Sequence, residues 1–163
     1  MNKLFPLLAF AAFALVACSE DKPAPSHSEL CAQKTLTKEC LVGRWYLEKV
    51  VRGESDSPDP NCNPDPKGRD LRLKANGEFS FEGGKWNIES NGTWKLNETG
   101  TSIEIECKSG DCTEGFDRGV NADIKIYGSA ELRISANGYA SFSQCKLSGT
   151  TKLTEVFGWQ GAN

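Results

Sequence analysis

LRLKANGEFSF, Leu71 to Phe81, is the stretch that decides the fold. Leu71 and Leu73 alternate with Arg72 and Lys74; beyond Asn76-Gly77, Phe79 and Phe81 alternate with Glu78 and Glu82. A period of two gives an extended chain one apolar and one polar face, whereas a helix would scatter the same residues around its axis. Asn-Gly between two such runs tolerates the positive φ of a tight hairpin turn. The segment therefore reads as strand, turn, strand, with one face buried.

The same alternation recurs on both sides of it. In Leu41 to Val51 the odd positions are Leu41, Gly43, Trp45, Leu47, Lys49 and Val51, while the even ones include Arg44 and Glu48. Trp94 and Leu96 alternate with Thr93 and Lys95, and Ile103 and Ile105 with Glu104 and Glu106. Ile124 and Ile126 alternate with Asp123 and Lys125, and Leu132 and Ile134 with Glu131 and Arg133; Tyr139 to Lys146 and Thr151 to Phe157 complete the series. Gly83-Gly84, Asn91-Gly92, Gly128-Ser129 and Asn137-Gly138 read as further turns. Helix is nearly absent; Ser28 is expected to cap one short turn through Leu30 and Gln33. The expected fold is all-β, an antiparallel up-and-down barrel of about eight to nine strands, because closure removes unpaired edges. A β-sandwich is the alternative.

Two connections are longer. Arg52 to Gly68 holds prolines 58, 60, 64 and 66 and is expected to be a stiff, solvated connector. Lys108 to Asn121 carries Asp111, Glu114 and Asp117. Neither has the spacing of a calcium loop, so no metal site is expected.

At the N-terminus, Asn2 and Lys3 precede an apolar run from Leu4 to Ala17. As a helix that run rises only about 21 Å, short of a hydrocarbon core of about 30 Å. Residues 1–17 are therefore expected to be a removable signal, 18–40 a tether and lead-in with a Pro- and Ser-rich spacer from Glu20 to Ser28, and 41–163 a single barrel domain. Leu15-Val16-Ala17-Cys18 resembles the lipobox of bacterial lipoproteins. The resemblance implies that the Cys18 thiol receives a diacylglycerol, that the signal is cut before it, and that the new amine is acylated. Several acyl chains, at about 0.8 kcal/mol per buried methylene, make the membrane the first expected partner. Ser19, where Asp would retain a lipoprotein at the inner membrane, implies the outer membrane, and Glu20-Asp21 resembles the tag of surface-displayed lipoproteins.

Of seven cysteines, removal of Cys18 leaves Cys31, Cys40, Cys62, Cys107, Cys112 and Cys145. In an exported chain these read as three disulfides, for which fifteen pairings exist. Cys107 and Cys112, separated by Lys-Ser-Gly-Asp, suit a local bridge; Cys31 with Cys40 is the next local pairing, leaving Cys62 with Cys145. No Cys-x-x-Cys metal spacing occurs.

Gly43-Arg44-Trp45, on the first strand, resembles the Gly-x-Trp signature of lipocalins and related calycins. Leu71 to Phe81 and GTWKLNETGTSIEI, Gly92 to Ile105, look like the middle hairpins of bacterial lipocalin-like domains. The resemblance covers Leu41 to Ile105. It implies that Trp45 plugs the closed end of the barrel, that Gly43 lets neighbouring chain approach, and that a basic residue near the last strand lies over the tryptophan; Lys152 is the residue available. Both Gly43 and Trp45 are thus structural, not ligand contacts.

Several functions are excluded. A net charge of −3 without a basic footprint argues against nucleic acid. The single histidine, His27, falls in the spacer, where near-attack geometry for Ser-His or Cys-His chemistry cannot be held. No enzyme activity and no cofactor are expected. The leading reading is a binding module holding a small apolar ligand or a partner at its open end. The alternatives are a partner-binding or inhibitory lipoprotein whose barrel is filled with side chains, and a structural envelope protein. Trp86 and Trp159 lie outside the clear alternations and read as packing residues, with glycan stacking as the alternative.

Overall fold

A computed structural model describes residues 24–60, 62, 69–83, 88–112, 119–137, 139, 140, 145, 146 and 151–163. Residues 1–17, where a removable signal is expected, Cys18 and Trp86 lie outside them. Among the described residues two short helices, α1 (His27–Cys31) and α2 (Lys38–Leu41), precede ten strands. These are β1 (Gly43–Arg52), β2 (Arg69–Leu73), β3 (Glu78–Gly83), β4 (Ile88–Leu96), β5 (Ser102–Gly110), β6 (Val120–Tyr127), β7 (Glu131–Asn137), β8 (Tyr139–Ala140), β9 (Cys145–Lys146) and β10 (Lys152–Gly161). Eight strands close into an antiparallel barrel in the order β1-β10-β7-β6-β5-β4-β3-β2. Chain neighbours are sheet neighbours throughout, except that β8 and β9 pair only with each other between β7 and β10. The expected strand at Tyr139 to Lys146 is therefore this separate ribbon.

Alternation fills the barrel. Leu71 pairs with Phe81 and Leu73 with Phe79, Trp94 with Ile105, and Ile124 with Ile134, all facing inward and buried. With Trp45, Leu47, Ile103, Leu132 and Phe157 they form one contiguous apolar cluster. These paired inward side chains pack as one continuous core.

Asn76-Gly77 makes the expected turn: Gly77 adopts φ 87°, and the Asn76 side chain accepts from the Glu78 amide at 3.0 Å. Asn91-Gly92 does not. It lies inside β4, at a register shift against β5. A Cβ on Gly92 would land on the Glu106 carbonyl and 2.8 Å from the Phe79 ring, so this glycine serves close strand approach. The actual β4–β5 turn is built on Asn97, whose side-chain oxygen accepts from the amides of Thr101 and Ser102 at 2.8 and 3.1 Å.

The odd-position burial of β1 holds through Leu47 and then breaks. A register shift between Leu47 and Lys49 brings Val50 into the core parity, opposite Glu155. The connection after β1 also departs from expectation. Residues 54–58 are solvent-exposed as expected, but over 53–59 the chain is also tied back to β10, β7 and β6 by side-chain and backbone hydrogen bonds. The Gly53 amide donates to the Lys152 carbonyl at 2.9 Å, and Thr154 Oγ1 donates to the Gly53 carbonyl at 2.7 Å. Glu54 accepts from Lys125 at 2.8 Å and from the Tyr127 hydroxyl at 3.3 Å; Asp56 accepts from Arg133 at 3.0 Å. Arg133, Ser135, Thr154 and Val156 are buried although their register points them away from the core, and this strap touches Arg133 through Asp56 and Thr154 through Gly53.

Candidate functional site

The barrel has two unlike ends. At the closed end the chain enters through α1 and α2. Ser26, and not Ser28, caps α1, because Glu29 then stands at the third helical position and completes a capping box. Ser26 Oγ accepts from the Glu29 amide, and the Ser26 amide donates to Glu29 Oε2 at 2.7 Å. A cap at Ser28 would place Cys31 there, with no carboxylate to return the bond. Cys31, at the end of α1, is bridged to Cys40 of α2, as the spacing predicts.

This cap seats Trp45. The residue is 0% exposed, and its Nε1 donates to the Leu41 carbonyl at 2.8 Å, so the helix that closes the barrel also satisfies the indole. Trp159 of β10 meets it edge-on, with ring centroids 4.8 Å apart. A Cβ on Gly43 would fall inside the Trp159 ring, which explains the glycine two residues before Trp45. The residue over the tryptophan pair is His27, where Lys152 is the expectation. Lys152 begins β10 at the opposite rim and pairs with Asp123 at 2.7 Å, because the antiparallel register runs Trp45 against Trp159, not against the start of β10.

His27 is not a spacer residue. Its ring stacks on Trp159 with centroids 3.5 Å apart and planes 3° from parallel, and stands 5.8 Å from Trp45. Its Nε2 lies 2.9 Å from the Cys40 carbonyl and 3.4 Å from Cys31 Sγ. Trp159 is accordingly a packing residue. The signal for this placement was local: His27 and Cys31 are one helical turn apart and share a face. Among the described residues, His27, Cys31 and Cys40 form the group of potential metal ligands whose atoms lie within 4.8 Å of one another.

The opposite rim, where β1, β3, β5 and β7 end, carries Val50, Leu153 and Cys62 in a second buried cluster. Cys62 is disulfide-bonded; the side chain of Cys145, its expected partner, lies outside the described residues. Cys107 and Cys112 are bridged at the end of β5, as expected. Two buried acids escape the alternation reading, Asp59, ion-paired with Arg52, and Glu155, which shares the inward parity of Ile134. Asp111 accepts from the Glu89 amide at 3.0 Å; Glu114 and Asp117 lie outside the described residues.

No protein-family model matches the chain. No curated protein matches it either. The site must therefore be read from its geometry. Along the outside of β4 and β5 runs an open groove of about 410 Å³ lined by Lys38, Asn76, Thr93, Lys95, Glu104 and Glu106, whose charges are of both signs. Lys38 Nζ stands 5.4 Å from the centre of the Trp94 ring at its closed-end margin. Two surface carboxyls are held below the ordinary glutamate value by their partners. Glu54 is lowered chiefly by its hydrogen bond from Lys125, and Glu78 chiefly by Asn76.

Proposed function

We propose that the protein is a lipid-anchored, non-enzymatic envelope protein of lipocalin-like build, which engages a protein partner from outside a side-chain-filled barrel. One observation supports this above all. The inward positions of the barrel strands carry Trp45, Phe79, Phe81, Trp94 and Phe157 in a single packed cluster. Such a core favours a partner on the surface over a small apolar ligand along the axis. The groove on β4 and β5 sets charges of both signs beside Trp94, the mixed polar and apolar lining of a non-obligate interface. The anchor reading rests on Leu15-Val16-Ala17-Cys18.

The test is a titration of the folded protein with a dansyl-labelled fatty acid. No saturable rise in emission is expected. Saturable one-to-one binding would overturn the filled-barrel reading and return the protein to the carriers of small apolar ligands.

A further inference from the structure

We infer that His27, Cys31 and Cys40 form a redox-gated site for one thiophilic d¹⁰ cation, Zn²⁺ being the probe, which opens when the Cys31–Cys40 bridge is reduced. The inference is independent of the proposed function, because it rests on the closed-end cluster alone.

Three donors are already assembled. In a tetrahedral zinc site, bonds of about 2.0 Å to nitrogen and 2.3 Å to sulfur set the N···S edge near about 3.6 Å. Cys31 Sγ stands 3.4 Å from His27 Nε2. The three candidate ligand atoms all lie within 4.8 Å of one another, and the cysteine Cα atoms are 5.0 Å apart. The reduced sulfurs can therefore separate to thiolate distance by side-chain rotation.

The surroundings hold the donors in place. The capping box fixes the start of α1, which puts His27 and Cys31 one turn apart on one face. Trp159 stacks flat on the imidazole and Trp45 meets it edge-on, so the ring has little freedom to turn away. Cys40 is fully buried, while His27 and Cys31 are half-buried and reachable. The other described bridge, Cys107–Cys112, has no histidine in such a group.

The chemistry balances with a dithiol as reductant. Thiol–disulfide exchange transfers two electrons and two protons to the bridge, giving the Cys31 and Cys40 thiols and leaving the reductant as its cyclic disulfide. The cation then displaces the two thiol protons. Nε2 faces the Cys40 carbonyl at 2.9 Å in the oxidised cap, so to bind the cation the imidazole gives up that hydrogen bond, moves its proton to Nδ1 and ligates as the neutral base through Nε2. Oxidised, the same atoms are a staple that fastens α1 to α2.

The experiment uses the full-length protein in detergent. It is reduced with dithiothreitol without denaturant, freed of reductant anaerobically, and titrated with Zn²⁺ against a chromophoric chelator, with circular dichroism recorded in parallel. The Cys107→Ser/Cys112→Ser variant is expected to bind one zinc per chain after reduction and none before it. In that background His27→Ala should weaken binding by about 100-fold, and Cys31→Ser/Cys40→Ser should abolish it, with strand content retained. The inference is overturned by zinc binding that ignores His27. A bridge that dithiothreitol cannot open, or a barrel that melts when it opens, overturns it equally.

Discussion

Truncating Trp45 to alanine is the perturbation that reads the closed end most directly. The side chain is 0% exposed and touches Trp159 and His27, so its removal leaves a cavity that helices bound by a disulfide cannot collapse to fill. Removing a large buried aromatic costs about 3–5 kcal/mol. The Leu41 carbonyl also loses its indole donor, which adds about 1 kcal/mol. With a urea slope of about 1.5 kcal/mol per molar, a loss of about 4–6 kcal/mol moves the midpoint down by about 3–4 M. Trp45→Phe separates the two contributions. It keeps most of the apolar volume and loses the hydrogen bond, and should cost about 1–2 kcal/mol. Urea melts followed by far-ultraviolet dichroism, with disulfides intact, measure both. An alanine variant whose midpoint falls by less than about 0.5 M would refute the plug, because an indole at an open mouth contributes little to stability.

Four further outcomes are expected. Gly92→Ala should lose about 1–3 kcal/mol, because its Cβ meets the Glu106 backbone and not a movable side chain; a thermal melt checks this. Opening the Cys107–Cys112 bridge by double serine substitution should cost about 2 kcal/mol, the value for so short a loop, and a loss near zero in urea melts would contradict it. Glu54, held below its ordinary value of 4.5 chiefly by Lys125, contributes stability that is present above the unfolded value and is lost as pH falls through the lower folded value. The parent should therefore lose urea stability over that acidic range more steeply than Glu54→Gln. Cys18→Ser should leave the barrel folded and release it from the membrane fraction, as fractionation and dichroism together will show.

Where a strand buries one face and exposes the other, its residues announced it. Leu71 to Phe81 and Ile103 to Ile105 are of this kind, and there the alternation predicts register as well as strand. The departures share a cause, which is that a distant segment changes what a residue faces. Val50 turns inward because β1 shifts register against β10, and Thr154 and Arg133 are buried outside the barrel, where the strap touches them through Gly53 and Asp56. Asn91-Gly92 has the composition of a turn, but its glycine is required by the Glu106 backbone across the sheet. His27 sits in a Pro- and Ser-rich stretch that reads as spacer. Its place on Trp159 follows from the Cys31–Cys40 bridge and the capping box, of which only the bridge was foreseen.

The central claim is that this barrel is filled by its own side chains and works from its outer surface. An electron-density map of the purified protein, at a resolution that separates side chains, tests it most directly. Continuous density is expected for Phe79, Phe81, Trp94, Ile105 and Phe157 across the barrel axis. Elongated density of a bound apolar molecule between those residues, with the side chains displaced to the wall, would contradict it.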